Sequence, residues 1–293
     1  MLLTVFFYDY PLKQNQFLSL GKKYFNLYVF SRTRFMFLAI DAGNSNIVFG
    51  FFDEAKEKWI HEFRIETNKE LSKLKLETEI RLFFLENDIK IDQIKQVGIS
   101  SVVPEINPIL KSFCKDYLQQ NCYLINGNSY EKLKVSTTRP NEIGSDLMCN
   151  VTAAFERFEN TCIIVDFGTA LTFTAVGKEG KILGVNIVPG LKTAIKSLFS
   201  NTSKLPEVEL TMPKSALGRN TIHSIQSGIL YGYTGLVKGM LETMQKEIAI
   251  PCHIIATGGL STILTTLQDS FEVVDRNLTL EGIRLITLTN LRS

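Results

Sequence analysis

The chain has 293 residues and a mass of 33.1 kDa, with 45% apolar and 21% charged residues, an ordinary globular composition sized for one large domain or two of about 150 residues. A formal charge of +2 leaves no electrostatic footprint for nucleic acid, and no stretch reaches the ~18 apolar residues of a membrane span, so neither is an expected partner. Five scattered cysteines without a C-x-x-C pair, and three histidines without H-E-x-x-H spacing, argue against a disulfide framework and a histidine-built metal site, and favour a cytoplasmic protein.

Residues 1–35 stand apart. They hold six Phe, four Tyr and five Lys or Arg against one acid. No basic region precedes their short apolar run and no small-residue cleavage site follows it, which is a poor secretory signal. They are expected to be an upstream extension, with Met36 as the functional initiator; an added strand or helix on the domain is the alternative. From there, Phe37–Asp41, Ile47–Phe52 and Trp59–Ile65 read as three strands joined by tight turns, the first turn being Asp41-Ala-Gly-Asn-Ser45. Helical spacing follows over Lys69–Asn87, a buried strand over Gln96–Val103, a helix over Glu105–Gln120 and another over Asp146–Phe158. The opening pattern then recurs. Cys162–Asp166, Leu171–Val176 and Ile182–Val188 are again strands around a D-x-G turn, 125 residues after the first. Thr221–Ile248 reads as a long helix, His253–Thr257 as a strand, and Gly259–Gln268 and Thr279–Leu288 as helices. Two similar mixed units, 36–150 and 151–293, imply a duplicated α/β architecture with a ligand cleft between them.

A tight inter-strand turn exposes consecutive backbone N–H groups, and glycine lets a ligand approach closely. Asn44, Ser45 and Asn46 add short side-chain donors at the first turn, and Thr169 and Thr172 at the second. Such nests suit phosphate oxygens. An aspartate at each strand end offers a hard oxygen to a cation or its hydration shell, as Mg²⁺–nucleotide sites require. One D-x-G turn alone is common in plain hairpins; two in duplicated context can clamp a polyphosphate from both sides. Gly258-Gly259 after a strand permits contact with a flat ring or sugar, or marks a simple strand-to-helix turn. Asp146, after Gly144-Ser145 and before an apolar helical run, is either a carboxylate aimed into the cleft or a helix N-cap. Protein-kinase, P-loop and dinucleotide signatures are missing, since Asp166-Phe-Gly168 has no H-R-D and no glycine-rich loop beside it.

The sequence from Met36 to about Leu288 resembles the type III pantothenate kinases, within the superfamily of acetate and sugar kinases, heat-shock chaperones and actin. The motifs carrying the resemblance are Asp41-Ala-Gly-Asn-Ser45, Ser100-Ser-Val-Val-Pro104, Pro140-Asn-Glu-Ile-Gly144-Ser-Asp146, Asp166-Phe-Gly-Thr-Ala170, Pro189-Gly190, Leu217-Gly-Arg-Asn-Thr221, Gln226-Ser-Gly228, Tyr231-Gly-Tyr233, Gly235-Leu-Val237 and Ala256-Thr-Gly-Gly-Leu260. The resemblance implies duplicated ribonuclease H-like (actin-like ATPase) domains with a nucleotide cleft between them. It also implies a homodimer that transfers the γ-phosphoryl group of ATP to pantothenate, the first step to coenzyme A. By resemblance Asp41, Gly43, Asn44, Ser45 and Asn46 form the first ATP turn, with Asp41 reaching Mg²⁺ through water. Gly168, Thr169 and Thr172 form the second, Asp166 holds a monovalent cation (K⁺ or NH₄⁺), and Gly258 and Gly259 line the adenosine pocket. Asp146 matches the general base, Gly144 and Ser145 lie beside the substrate, and Thr221 reaches the substrate of the neighbouring subunit.

In much of the family an arginine follows the base and grips the pantothenate carboxylate; here that position is Leu147. Arg139 is a candidate substitute on the same loop, or a solvated loop arginine. The departure at Leu147 leaves open a kinase for another small alcohol without the carboxylate, and a nucleotide-binding regulatory homologue without turnover is the remaining alternative.

Overall fold

The computed structural model of the protein describes residues 35–292 apart from 69, 203 and 204; the expectations for residues 1–35 lie outside it, except at Phe35. The described residues build two five-stranded sheets. The first contains β1 (Met36–Ala42), β2 (Asn46–Asp53), β3 (Lys58–Glu66), β4 (Ile94–Ser101) and β5 (Cys122–Leu124), ordered β3-β2-β1-β4-β5. The second contains β6 (Cys162–Phe167), β7 (Ala170–Val176), β8 (Ile182–Pro189), β9 (His253–Thr257) and β10 (Val273–Val274), ordered β8-β7-β6-β9-β10. In each sheet the first three strands are antiparallel and the last two run parallel to the first. This is one ribonuclease H-like topology laid down twice, the duplicated actin-like architecture expected from the repeated turns.

Among the described residues six helices cover the sheets: α1 (Lys73–Glu86), α2 (Asn107–Asp116), α3 (Ser145–Phe158), α4 (Leu191–Ser200), α5 (Thr221–Ile248) and α6 (Leu278–Leu291). Strand alternation decides what each buries. Met36, Leu38, Ile40 and Ala42 of β1 point to an outer core with Leu76 and Ile80 of α1 and Phe113 of α2. Phe37 and Ala39 point the other way, into a central cluster with Met148 and Val151 of α3 and Ile283 and Ile286 of α6. The second sheet repeats this arrangement. Ile163, Val165 and Phe167 meet Leu230 and Val237 of α5, while Cys162 and Ile164 face the central cluster. By the same period Asp41 continues the Phe37–Ala39 face and Asp166 the Cys162–Ile164 face, so both carboxylates are directed into the seam between the lobes. Helices α3 and α6 fill that seam and approach so closely that a β-carbon on Gly282 would run into the Cys149 backbone. The expected division between residues 150 and 151 falls inside α3, a helix packed on both sheets.

Two expectations change. The helix over Gly259–Gln268 is a series of turns leading to a 3₁₀ segment, Thr265–Ser270. Ser261 Oγ donates to the Gly258 carbonyl at 2.9 Å and closes the chain into a turn, and the hydroxyl-rich stretch competes with helical hydrogen bonding. The helix over Glu105–Gln120 is shorter, because a 3₁₀ turn at Pro104–Ile106 precedes α2 and Gln119 adopts φ 54°. The glycines of α5 form an open stripe: among the described residues, a β-carbon on Gly228, Gly232, Gly235 or Gly239 would have no atom within 4 Å. The short elements α4, β5 and β10 were not anticipated.

Candidate active site

The two D-x-G turns meet. Ser45 Oγ lies 2.7 Å from Thr169 Oγ1. Each turn is closed by its glycine N–H: Gly43 donates to the Asn46 carbonyl at 3.0 Å and Gly168 to the Ala170 carbonyl at 3.1 Å. Each is also braced by a threonine that sequence reasoning overlooked. Thr67 Oγ1, just after β3, donates to the Gly43 carbonyl at 2.6 Å, and Thr193 Oγ1, in the first turn of α4, donates to the Thr169 carbonyl at 2.7 Å. Gly190, which precedes α4, donates its N–H to the same carbonyl at 3.0 Å. A β-carbon there would strike the Gly168 and Thr169 carbonyl oxygens. Gly258 takes φ 89° and lies against Asp166 and the backbone of Phe167, where only a residue without a side chain fits. Asn44 and Gly259 are exposed and Asn46 is partly buried, all on the cleft rim.

Asp41 is flanked in register by Val48 of β2 and Ser100 of β4, and Asp166 by Thr172 of β7 and Thr257 of β9. Burial, then the charges of Asp146 and Asp166, raise the Asp41 carboxyl to about 8, against the opposing pull of Arg64 and the Ser100 hydroxyl. Burial and the Asp146 charge raise Asp166 to about 7, opposed by a hydrogen bond from Asn150 Nδ2 at 3.0 Å. Asn150 is in turn fixed by Thr279 Oγ1, which donates to its Oδ1 at 2.8 Å. The hydroxyls of Thr172 and Thr257 are buried and have no hydrogen-bond partner. Beside Asp166 they complete a set of hard oxygens suited to a cation.

Asp146 is not the N-cap of α3; Gly144 is, and Ser145 is the first helical residue. The Asp146 carboxylate accepts the Leu147 N–H at 2.8 Å, and burial raises its pKa. A β-carbon on Gly144 would collide with Asp146 Oδ1, so the glycine makes room for the carboxylate. Ser145 moors the helix instead of facing outward: its Oγ lies 2.8 Å from Ser100 Oγ and accepts the Ser101 N–H at 3.1 Å. Leu147 is buried. Two expected residues make their contacts outside this group. Arg139 is exposed and donates to Glu142 Oε2 at 3.0 Å. Thr221 opens α5 in an exposed groove with Leu198 and Ile225.

Among the described residues no three His, Cys, Asp or Glu side chains converge to hold a metal ion by themselves, and no helix is long and apolar enough to cross a membrane. The sequence profile described as "Type III pantothenate kinase" matches residues 37–243. Proteins of that name are similar to this chain: one from Desulforapulum autotrophicum is 42% identical over 86% of this chain and 96% of its own. One from Citrifermentans bemidjiense is 38% identical over 87% and 100%. Among solved structures, a Baf family protein of Campylobacter jejuni superposes with a TM-score of 0.51 at 21% identity, covering 87% of this chain and all of its own. The ethanolamine utilization protein EutJ of Carboxydothermus hydrogenoformans also reaches 0.51, at 14% identity over 92% and 98%.

Proposed function

Since the chain belongs to the type III pantothenate kinase family, we infer that its cleft transfers the γ-phosphoryl group of ATP to the primary hydroxyl of pantothenate, the first step of coenzyme A biosynthesis. Transfer of this kind depends on positioning and charge neutralisation more than on covalent catalysis. The two turns offer backbone N–H groups and the hydroxyls of Ser45 and Thr169 to the polyphosphate, and Gly258 and Gly259 leave room for the adenosine. The acceptor is a neutral alcohol whose proton must leave. Asp146 is the base for it, a carboxylate whose raised pKa brings its proton affinity closer to the task. The observation that carries this reading is the meeting of the two turns at the Ser45–Thr169 hydrogen bond, with the charges of Asp146 and Asp166 felt at Asp41 and that of Asp146 at Asp166.

Asp41 fits an outer ligand of Mg²⁺, an ion that keeps most of its shell as water and phosphate. Asp166 with the partnerless Thr172 and Thr257 hydroxyls fits a monovalent cation. Such ions, when bound, neutralise phosphate charge. A homodimer belongs to the same proposal. It is supported by the open glycine stripe of α5 and by exposed Leu217, Ile222 and Ile187 on the same lobe, and it gives Thr221 a substrate to reach in the neighbouring subunit. A cytoplasmic setting accords with five free cysteines. No observation favours a different acceptor or a homologue without turnover.

The decisive experiment is single-turnover phosphorylation of pantothenate by the wild type and by Asp146→Asn. Removing the base slows the chemical step by roughly 10²–10⁴; equal rates would take Asp146 out of the mechanism.

A further inference from the structure

We propose that Arg64 is a polyphosphate-gripping residue of the cleft, the side chain by which the first lobe reaches a nucleotide lodged on the second. The proposal rests on the kinase reading above and adds a contact that neither D-x-G turn supplies. Arg64 pairs in register with Val48, and Val48 with Asp41. The three therefore stand side by side across β3, β2 and β1, on the face turned to the seam. Neighbouring strands lie about 4.8 Å apart, so the Arg64 backbone is about 10 Å from that of Asp41, a gap the long side chain narrows. Its charge is felt at Asp41. On the other side, a β-carbon on Gly259 would stand 3.4 Å from Arg64 Nη1. The guanidinium thus spans the cleft mouth, between the carboxylate of one turn and the Gly-Gly of the opposite lobe.

Charge gives the span its meaning. The cleft gathers three carboxylates, and a nucleotide polyphosphate brings several more negative charges. Among the described residues Arg64 is the one cation whose charge registers at any of the three aspartates. Its present partner is Glu62, whose Oε1 accepts from Nη2 at 2.9 Å. With side chains 41% and 37% exposed, that pair is weakly held and readily exchanged. A forked guanidinium suits two phosphate oxygens at once, which an ammonium does not.

The test is equilibrium binding of ATP, ADP, AMP and adenosine to the full chain, comparing wild type with Arg64→Ala and Arg64→Lys, each checked for an unchanged melting temperature. Arg64→Ala is expected to weaken ATP and ADP by about 10–100-fold and adenosine by less than about twofold, the scale of a lost charge-assisted hydrogen bond; Arg64→Lys should fall between. The KM for ATP should rise while that for pantothenate stays put. Equal weakening along the whole series would assign Arg64 to the base or to the scaffold and overturn the proposal, as would unchanged ATP binding. A wild type that binds no ATP would overturn the kinase reading itself, and this one with it.

Discussion

Ser45 and Thr169, 124 positions apart, hydrogen-bond to each other through their hydroxyls at 2.7 Å. Each stands at the tip of a turn whose other groups are already braced, so each hydroxyl is free to exchange its partner for a phosphate oxygen. Little is lost in that exchange, because one hydrogen bond replaces another.

On the proposed function, Thr169→Val therefore removes a nucleotide contact while leaving the strand ends intact. The expected result is a KM for ATP raised about 10-fold, with the KM for pantothenate unchanged, as befits one lost hydrogen bond to a charged acceptor. Steady-state kinetics with each substrate varied in turn checks it.

Gly190 sets the height of the second turn. Its backbone angles, φ −70° and ψ 163°, suit any residue, so the demand is purely for space against the Gly168 and Thr169 carbonyls. Gly190→Ala should destabilise the protein by about 1–3 kcal/mol, as overpacking does. Nucleotide binding should weaken beyond what the loss of folded protein explains. Thermal melts and titrations on the same sample separate the two effects.

Stability should depend on pH with a definite sign. Asp41 and Asp166 titrate near 8 and 7 in the folded chain against 3.8 for an ordinary aspartate. Between about pH 4 and 8 the folded state therefore holds protons that the unfolded state has released, and stability falls as pH rises through that window. The melting temperature of the ligand-free protein should drop from pH 5.5 to 8.5. Mg²⁺–ATP should flatten the slope, and Asp41→Asn with Asp166→Asn should abolish most of it.

Arg139 and Glu142 form an exposed ion pair of the kind that contributes little, so a substrate carboxylate can compete for the guanidinium. Arg139→Ala is expected to raise the KM for pantothenate several-fold, and Glu142→Ala to lower it. Neither should alter the KM for a neutral analogue of pantothenate. An unchanged KM for pantothenate in Arg139→Ala would end the idea that it replaces the arginine missing at Leu147.

The open face of α5 makes a prediction about assembly. Gly232→Glu puts a charged side chain at a position where, among the described residues, no atom lies within 4 Å of an added β-carbon. The folded monomer should tolerate it, while sedimentation should show loss of the proposed dimer and, with it, of activity.

Much of this was legible in the sequence because it is periodic. The D-x-G strands alternate, so Phe37, Ala39 and Asp41 declare one face, and α5 runs over Thr221–Ile248 as its spacing predicts. What escaped is what sequence separation hides. Thr67 and Thr193 brace turns distant from them in the chain, Asn150 reaches Asp166 from a helix, and Arg64 reads as one charge in an alternating strand until β2 aligns it with Asp41. The helix expected after Gly259 failed for a local reason: Ser261 turns its hydroxyl back on the Gly258 carbonyl in a stretch rich in threonine. The three-residue β5 is too short for any alternation to show.

Cys149 lies between Asp146 and Asn150 on α3, and Gly282 of α6 presses on its backbone. Asp146, the proposed base, and Asn150, which steadies Asp166, thus lie on either side of that contact. Adding a single methyl at Gly282 would push α6 off α3, and on the proposed function the disturbance would surface a helical turn away, in the alignment of Asp146 with its alcohol.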